Sequence, residues 1–501
     1  YEQCETGRDC EVGRTRVELG RKQDRAGGAG LHPMNDAVAL DLGTTTIKAG
    51  LLLQNGSLGG IVAKPAPAIR TAGGRYESDA LEYAELADRV MAECLAQTAE
   101  RPPLGICSQR SSFLIWDRAS GLPVTPLISW QDDRGAESCV ALRDSEILVR
   151  ELSGLPLTPY YLAPKLRVLL RADQSIRERL LQGECLLGTL DTFLIWRWTG
   201  GAHHVTDVSM ASRTLLVDIR TQRWSSVLCE LFDIPLQILP RIVSSNAMDM
   251  RLENGLVLQA SVGDQSAALL SGIAFGQAEA LVNLGTGGFV ICIPPIDRSV
   301  LPGYLRTLVM QDGSRQTLCA CEGTLNSIAS ALALYPAGKC RAEELASDNI
   351  YCLAEPSGIG APYFRHEIGI TFSEPVGHLQ PDRIALLLQE GIIFRVARIL
   401  EDFQRVFGIE RVYLSGGLSN LPCLQQGIAQ CTPLTVFRLL QADASLSGVA
   451  QLAAGSAWAD RRIAEKIVGQ SLTPGLANKY VRWKVWLDGV LNTSPAGLAN
   501  R

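Results

Sequence analysis

The chain has 501 residues, of which 47% are hydrophobic and 20% are charged, and its formal net charge is −5. This length predicts two or three domains, since a domain takes roughly 150 residues, and it allows a substantial core. No apolar run approaches the ~18 residues that cross a bilayer, which excludes a membrane protein. Without basic blocks, nucleic acid is excluded as the main partner.

Residues 1–33 are rich in charge and glycine and show no apolar periodicity. They also lack the apolar core of a signal peptide. We therefore expect a disordered extension, or sequence upstream of a true start at Met34. The 14 cysteines have no C-x-x-C pair and no even spacing. This usage is more typical of buried thiols in a reducing cytoplasm than of disulfides or metal ligands, and we expect a cytoplasmic protein.

The folded part begins with a strand pattern. Residues 37–43 form an apolar run that ends in a turn, and Ile47–Leu53 predicts the next strand. A helical stretch follows around Ala80–Ala99, and strands and helices then alternate toward Gly272. This alternation predicts an α/β fold with a mostly parallel sheet.

An internal echo links two distant segments. Asp41–Ile47 (DLGTTTI) returns downstream as Asn283–Phe289 (NLGTGGF), each time after an apolar strand. Such an echo suggests a duplication with a cleft between the copies, divided between Ser271 and Ala280. We expect an N-terminal domain over 37–272, a C-terminal domain over 280–458 and a C-terminal tail over 459–501.

A long helix is predicted late in the chain. Apolar residues recur every three or four positions over about Arg383–Phe407, with Pro381 before this pattern and Gly408 after it. The helix leads into a strand at 411–414 that ends in Ser415-Gly416-Gly417.

The glycine turns suit a phosphate. Gly43–Thr46 joins a flexible backbone to threonine hydroxyls, although it matches neither a Walker loop nor a dinucleotide fingerprint. An ordinary hairpin turn without a ligand is the alternative. The second copy at Gly285–Gly288 and the turn at Gly416-Gly417 favour one nucleotide bound across a cleft.

Two carboxylates adjoin strand ends. Asp41 precedes the first turn and has the chemistry of a Mg²⁺ ligand, or it caps the turn, and Asn283 replaces it in the second copy. Asp264 stands where a strand runs into a helix; it caps that helix or takes a proton from a substrate hydroxyl. Arg110, after another strand, either binds a ligand or forms a structural salt bridge, and Trp130 adds an aromatic face.

Together these motifs resemble the FGGY carbohydrate kinases, and within them the glycerol kinase branch. The resemblance runs from about Val38 to Trp458. Its specific stretches are 40–46, 108–110 with 116–117, 129–134, 188–196, 205–214, 263–265, 285–287, 322–323, 360–363 and 415–417.

The resemblance implies two actin-like (ribonuclease H-like) ATPase domains around a central cleft, with ATP and Mg²⁺, and a small polyol or sugar as the acceptor. It leaves a homo-oligomer open. It makes Asp264 the general base and places the metal at Asp41 and Asp264. Implied nucleotide contacts are Thr44, Thr45, Lys48, Gly285, Thr286, Gly417 and Asn420. Implied acceptor contacts are Arg110, Ser111, Trp130, Tyr160, Asp264, Gln265 and Phe289.

The chain also departs from glycerol kinases. Ser111 replaces a glutamate that binds a glycerol hydroxyl, and a hydrogen bond to a charged group contributes ~1.5–3 kcal/mol, or roughly tenfold in affinity. Lys48 replaces an arginine, and Ala329 and Ala333 replace a glycine and a glutamine. Glycerol remains the favoured acceptor, and another polyol or ketose is the alternative. Pentulose kinases often have Met-His at Arg110-Ser111, which argues against xylulose. An alternative of another class is a degenerate actin-like ATP-binding switch protein.

Overall fold

The computed structural model describes residues 35–274, 276–294, 301–440, 443–455, 463–468 and 475–493. The extension predicted for residues 1–33 lies outside these ranges, as do parts of the predicted tail 459–501. The described residues form two lobes, each built on one large mixed sheet.

The first lobe contains the strands up to Gly263. They are β1 (Asn35–Leu42), β2 (Thr46–Leu53), β3 (Leu58–Pro65), β4 (Arg70–Ala72), β5 (Arg75–Ser78), β6 (Leu104–Ser108), β7 (Phe113–Asp117), β8 (Leu127–Ile128), β9 (Cys185–Thr189), β10 (Val205–Asp207), β11 (Val217–Asp218), β12 (Arg223–Trp224), β13 (Arg241–Val243), β14 (Met250–Arg251) and β15 (Val257–Gly263). The main sheet has the order β14-β15-β6-β1-β2-β3, and a second sheet has the order β4-β5-β8-β7-β9.

The second lobe contains the remaining strands. They are β16 (Glu279–Leu284), β17 (Gly288–Cys292), β18 (Leu305–Gln311), β19 (Thr317–Leu325), β20 (Cys352–Leu353), β21 (Thr371–Phe372), β22 (Arg411–Ser415), β23 (Thr435–Leu439) and β24 (Ala464–Lys466). Its main sheet has the order β18-β19-β17-β16-β22-β23-β24.

The described residues include fourteen helices. They are α1 (Ala80–Leu95), α2 (Ala136–Ala141), α3 (Glu146–Ser153), α4 (Leu162–Ala172), α5 (Gln174–Leu181), α6 (Leu190–Trp198), α7 (Val208–Ser212), α8 (Ser226–Leu231), α9 (Asp264–Gly272), α10 (Ile328–Leu332), α11 (Pro381–Phe407), α12 (Pro422–Cys431), α13 (Ala444–Ala453) and α14 (Gly475–Leu491). Helix α1 ends at Leu95, with Ala96 as its C-cap, earlier than the predicted Ala99. The long predicted helix is confirmed as α11, and Gly408 ends it with a φ of 71°.

The two main sheets repeat one plan. In the first, β1 pairs antiparallel with β2 and parallel with β6, which pairs parallel with β15. In the second, β16 pairs antiparallel with β17 and parallel with β22, which pairs parallel with β23. The repeated order agrees with the sequence echo. It places the turns at 43–45 and 285–287 at equivalent ends of the two sheets.

Helix α13 joins the lobes. It follows a second-lobe strand in sequence, but Leu446 and Val449 pack in one apolar cluster with Ala39 of β1 and Leu269 of α9. Helices α9 and α13 cross at Gly448, where a Cβ would lie 1.8 Å from the Ala267 carbonyl oxygen. Only glycine allows this close approach.

The predicted tail contains α14, which packs in the second-lobe core. Trp483 is fully buried, and its Nε1 donates to the Cys352 carbonyl oxygen at 2.9 Å. Lys479 is also fully buried, and it pairs with Glu390 and with Asp348. This helix is therefore part of the second lobe and not an appendage.

Within the described ranges, all twelve cysteines are free thiols, and ten of them are buried. This agrees with the expectation of buried thiols. The helices of the same ranges include none whose length and apolar character would let it cross a bilayer.

Candidate active site

The first glycine turn connects β1 to β2. A Cβ on Gly43 would lie 2.7 Å from the Thr46 carbonyl oxygen, so the turn requires glycine. The Thr44 hydroxyl accepts from Trp130 Nε1 at 3.0 Å and donates to Gln109 Oε1 at 3.3 Å. Thr45 is exposed at the tip. The turn thus presents an open tip, while the Thr44 side chain is held by Gln109 and by Trp130, one of the residues expected to bind the acceptor.

The second turn lies at the equivalent end of β16. The Gly285 backbone N–H donates to the Gly287 carbonyl oxygen at 2.9 Å, and Thr286 is exposed. The Thr286 carbonyl oxygen accepts from the backbone of Ala329 at 3.1 Å, which joins the turn to α10. Phe289, half-buried, follows the turn in β17.

The third turn lies beside the second. Gly416 has a φ of 87°, and a Cβ there would lie 2.4 Å from Asn283 Oδ1, the counterpart of Asp41 in the first lobe. Gly417 and Asn420 follow on an exposed single turn, where the Asn420 side chain donates to the Gly417 carbonyl oxygen at 3.3 Å. Arg438 contacts Asn420 at 3.5 Å. These groups offer hydrogen-bond donors and acceptors beside the second turn.

Asp41, the next-to-last residue of β1, has one carboxylate oxygen that is hydrogen-bonded and one that has no partner among the described residues. Its Oδ2 accepts from the Ser445 hydroxyl at 2.6 Å, and its Oδ1 is buried without a hydrogen-bond partner among the described residues. Burial raises the pKa of Asp41 to about 6, and the Ser445 hydrogen bond opposes this shift. The negative charge of Asp264 also raises the pKa of Asp41. In the main sheet Asp41 pairs with Cys107 and Cys107 pairs with Val262, so Asp264 follows the end of a strand that lies two places from β1.

Asp264 begins α9 beside Arg110. Arg110 Nε lies 3.7 Å from Asp264 Oδ1, and the Arg110 guanidinium also donates to the Gln265 side-chain oxygen. Asp264 Oδ1 accepts from the Gln265 backbone N–H at 2.7 Å. Burial raises the pKa of Asp264, and the charge of Arg110 opposes the shift. Three of the predicted residues are therefore in direct contact.

Arg213 and Glu322 extend this cluster across the cleft. Arg213, just after α7, donates to Thr307 Oγ1 at 3.0 Å and lies 3.9 Å from Glu322 Oε2, both in the second lobe. Its guanidinium stands 5.5 Å from the Tyr161 ring centre. Arg213 Nε and Glu322 Oε1 are buried without a hydrogen-bond partner in the described structure. Neither Arg213 nor Glu322 was predicted to contact the acceptor, although both lie in sequence stretches that carry the family resemblance.

Ser111 lies inside the first lobe with its hydroxyl engaged. The side chain is fully buried, and its hydroxyl donates to the Arg213 carbonyl oxygen at 2.9 Å. Its φ of 65° places it in the left-handed region. Ser111 therefore supports the backbone that carries Arg213, which the sequence pattern did not indicate.

Trp130 and Tyr160 form an aromatic wall. Their ring centres lie 5.3 Å apart, and both side chains are half-buried. Lys165, fully buried in α4, donates to the carbonyl oxygens of Ser129 and Tyr160 at 2.9 Å and of Trp130 at 3.3 Å. One ammonium group thus fixes both aromatic residues. A lone lysine in a helical pattern gives no sequence signal of this role.

Lys48 lies on β2 and forms an ion pair with Asp443, the residue before α13. Within the described ranges, no hydrogen bond joins Thr286, Gly417 or Asn420 to the first-lobe carboxylates. The first-lobe residues form separate hydrogen-bonded or ion-paired groups, of which Thr44 with Trp130 and Arg110 with Asp264 are two.

The sequence matches two adjoining family models. The N-terminal domain of the FGGY family of carbohydrate kinases matches residues 37–282, and the C-terminal domain of the same family matches residues 280–457. The chain belongs to the FGGY family of carbohydrate kinases. The site just described is thus the candidate active site of an FGGY kinase.

Curated relatives of this FGGY kinase include glycerol kinases. The glycerol kinase of Rhodopirellula baltica is 32% identical over 463 residues, which cover 86% of this chain and 85% of the relative. The glycerol kinase of Pseudomonas fluorescens is 30% identical over 444 residues, which cover 84% and 87% of the two chains.

Solved structures confirm the predicted fold class of two actin-like domains. The crystal structure of Plasmodium falciparum glycerol kinase with ADP has a TM-score of 0.81 at 21% identity, covering 91% of this chain and 99% of that one. A gluconate kinase from Lactobacillus acidophilus has a TM-score of 0.73 at 18% identity, with coverage of 91% and 99%.

The residues present suit a magnesium ion in this FGGY kinase. Mg²⁺ prefers oxygen ligands and is often held by one or two carboxylates together with substrate phosphates. Asp41 Oδ1 is buried without a hydrogen-bond partner in the described structure, and Asp264 follows β15, which lies two strands from β1 in the same sheet. These two carboxylates are the candidate protein ligands. The described residues hold no cluster of three or more metal-binding side chains.

Proposed function

We propose that the protein transfers the γ-phosphoryl group of ATP to a hydroxyl of a small polyol, with glycerol as the favoured acceptor and glycerol 3-phosphate as the product. The observation that carries this proposal is the contact of Asp264 with Arg110 and Gln265 beside Asp41, at the end of the first phosphate turn. The names of the curated relatives support glycerol.

Asp264 is the proposed general base. It begins a helix, and it adjoins Arg110 at 3.7 Å, which orients the carboxylate. Because burial raises the pKa of Asp264, its carboxylate is a better proton acceptor than an exposed aspartate. It would take the hydroxyl proton while Arg110 and Gln265 hold the acceptor, and Trp130 with Tyr160 would pack against its carbon chain.

Asp41 and Asp264 would hold Mg²⁺. When bound, this ion neutralises the negative charge that develops on the phosphates during transfer. The backbone of the turns at 43–45 and 285–287, with Thr45 and Thr286, would hold the phosphates from the two lobes. Gly417 and Asn420 would lie along the adenosine. Since phosphoryl transfer needs little covalent help from the protein, positioning accounts for most of the catalysis.

A second acceptor class is supported by Ser111. The glutamate of glycerol kinases would place a carboxylate where this chain has a buried hydroxyl that donates to Arg213. The loss of that carboxylate reduces the recognition of a glycerol hydroxyl. Another polyol or a ketose is therefore the second candidate.

A coupled assay of ADP formation over a panel of polyols and ketoses, including glycerol, tests the proposal. A kinase forms ADP only when its acceptor is present, whereas an actin-like switch protein hydrolyses ATP at a rate that is indifferent to added sugars. Acceptor-independent hydrolysis, or no ADP with any acceptor, would overturn the kinase proposal. A ketose that outperforms every polyol would overturn glycerol alone.

A further inference from the structure

The first turn of α13 contacts two first-lobe residues of the candidate active site. Asp443 pairs with Lys48 on β2, and the Ser445 hydroxyl donates to Asp41 Oδ2 at 2.6 Å. The partners are 395 and 404 residues apart in sequence, and both contacts cross from the second lobe to the first. One helical turn thus contacts both the candidate phosphate cation and the candidate metal ligand.

The repeated sheet plan relates this turn to the start of α9. In the first lobe, the strand β15 leads into α9, which begins at Asp264. In the second lobe, the equivalent strand β23 is followed by α13, which begins at Ala444. Asp443 therefore stands one residue before the helix position that Asp264 occupies in the first lobe.

The local backbone argues against a capping role. An aspartate at this position of a helix ordinarily accepts hydrogen bonds from the first-turn backbone N–H groups. Asp443 makes no side-chain capping bond, its φ of 56° and ψ of 53° are left-handed, and its carboxylate points to Lys48. The left-handed backbone of Asp443 therefore accompanies an ion pair with Lys48 rather than a hydrogen bond within α13.

We propose that Asp443 and Ser445 are positioning residues, through which the second lobe orients Lys48 toward the transferring phosphate and Asp41 toward Mg²⁺. This inference rests on the proposed kinase function. It adds two residues that act through Lys48 and Asp41 and that do not themselves touch the substrates.

Lys48 and Asp41 have enough hydrogen-bonding groups to keep their contacts with Asp443 and Ser445 during the reaction. An ammonium group has three N–H donors, so Lys48 can keep Asp443 and still donate to phosphate oxygens. A lysine side chain is flexible and carries a point charge, so a fixed partner restricts where that charge lies. Ser445 occupies Asp41 Oδ2 and leaves the buried Oδ1 open.

A double-mutant cycle tests Asp443. Asp443→Asn removes the charge and keeps a residue that tolerates the left-handed region. We expect kcat to fall about tenfold, the order of one lost charge-assisted contact, with the acceptor KM unchanged. If Asp443 acts through Lys48, the Lys48→Met/Asp443→Asn double variant is no slower than Lys48→Met alone. Additive losses, or an unchanged kcat in Asp443→Asn, would overturn this role.

Ser445 is tested by binding, without turnover. Calorimetry of ADP with and without Mg²⁺ gives the factor by which the metal strengthens nucleotide binding. We expect Ser445→Ala to reduce that factor about tenfold and Ser445→Thr to restore it, since threonine keeps the hydroxyl. Ser447→Ala, on the same helix, and Glu93→Gln, which removes a surface ion pair with Lys64, are the matched controls.

If Mg²⁺ strengthens ADP binding by the same factor in the wild type and in a folded Ser445→Ala protein, the inference is refuted. The two proposals fail separately. A wild-type protein that forms no ADP with any acceptor refutes the kinase function. The factor by which Mg²⁺ strengthens ADP binding still decides whether Ser445 positions Asp41.

Discussion

Ser111 donates its hydroxyl to the carbonyl oxygen of Arg213 at 2.9 Å, and the Arg213 side chain reaches Thr307 in the opposite lobe at 3.0 Å. Ser111, one of the departures from the glycerol kinase pattern, thus supports the backbone of a residue that contacts the second lobe. We expect a substitution at Ser111 to affect this contact as well as any recognition of the acceptor.

Replacing Ser111 by glutamate tests the acceptor. We expect Ser111→Glu to raise kcat/KM for glycerol about tenfold relative to longer polyols, because it restores a charged hydrogen-bond acceptor. A φ of 65° disfavours glutamate by ~1–2 kcal/mol, so a lower melting temperature should accompany the gain. Ser111→Ala is the control, since it removes the bond to Arg213 without adding a carboxylate. A folded Ser111→Glu protein without the gain would contradict the prediction.

Asp264→Asn tests the general base. The amide keeps the shape of the side chain but cannot take the hydroxyl proton, so we expect kcat to fall by about 10²–10⁴-fold. MgADP binding, measured by calorimetry, should change much less than kcat, because Asp41 remains. Near-normal turnover by this variant would remove Asp264 from the role.

Asp41→Asn should stabilise the nucleotide-free protein. The pKa of Asp41 is about 6 in the folded protein against an ordinary 3.8, so between these values the folded state binds this proton more tightly. The contribution of Asp41 to stability is thus greatest below about pH 4 and is lost as the pH rises to about 6.

We therefore expect Asp41→Asn to gain roughly 1–3 kcal/mol at pH 7.5, and this gain should shrink in denaturant titrations toward pH 4. The variant should also lose the strengthening of ADP binding by Mg²⁺. A less stable variant at pH 7.5 would show that the charge of Asp41 is already compensated.

Lys165→Met should separate acceptor recognition from nucleotide recognition. The substitution leaves the carbonyl oxygens of Ser129, Trp130 and Tyr160 without their common donor. We expect the acceptor KM to rise about tenfold, and the KM for ATP to stay within error of the wild type. An unchanged acceptor KM, or an equal rise in both constants, would contradict a specific role of Lys165 in holding the aromatic wall.

Gly448→Ala should weaken the junction between the lobes. Its Cβ would lie 1.8 Å from the Ala267 carbonyl oxygen, so α9 and α13 must separate. Overpacking of this kind costs about 1–3 kcal/mol, visible as a lower melting temperature. Gly489→Ala, in a helix position where a Cβ meets no atom within 4 Å, is the matched control.

Much of the fold could be predicted from local patterns. The strand ahead of Asp41, its echo at Asn283 and the periodicity of α11 were sufficient to identify two similar halves. The spacing of apolar residues in these patterns indicates which face of a strand or helix is buried, and the buried faces determine how the elements pack.

The missed residues share a physical cause. Ser445 contacts Asp41 across 404 residues, and Lys165 reaches carbonyl oxygens of two other segments. Such contacts depend on how elements meet in space. Asp443 resembles an ordinary helix cap in sequence, and only its left-handed backbone and its pairing with Lys48 distinguish it.

The crossing of α9 and α13 also affects how this molecule can move. Any rotation of α9 against α13 must repack the apolar cluster around Gly448 and Ala267, which includes Leu446, Val449 and Leu269. Asp264 begins α9 and Asp443 directly precedes α13, so a shift of one helix past the other would change the distance between these two carboxylates.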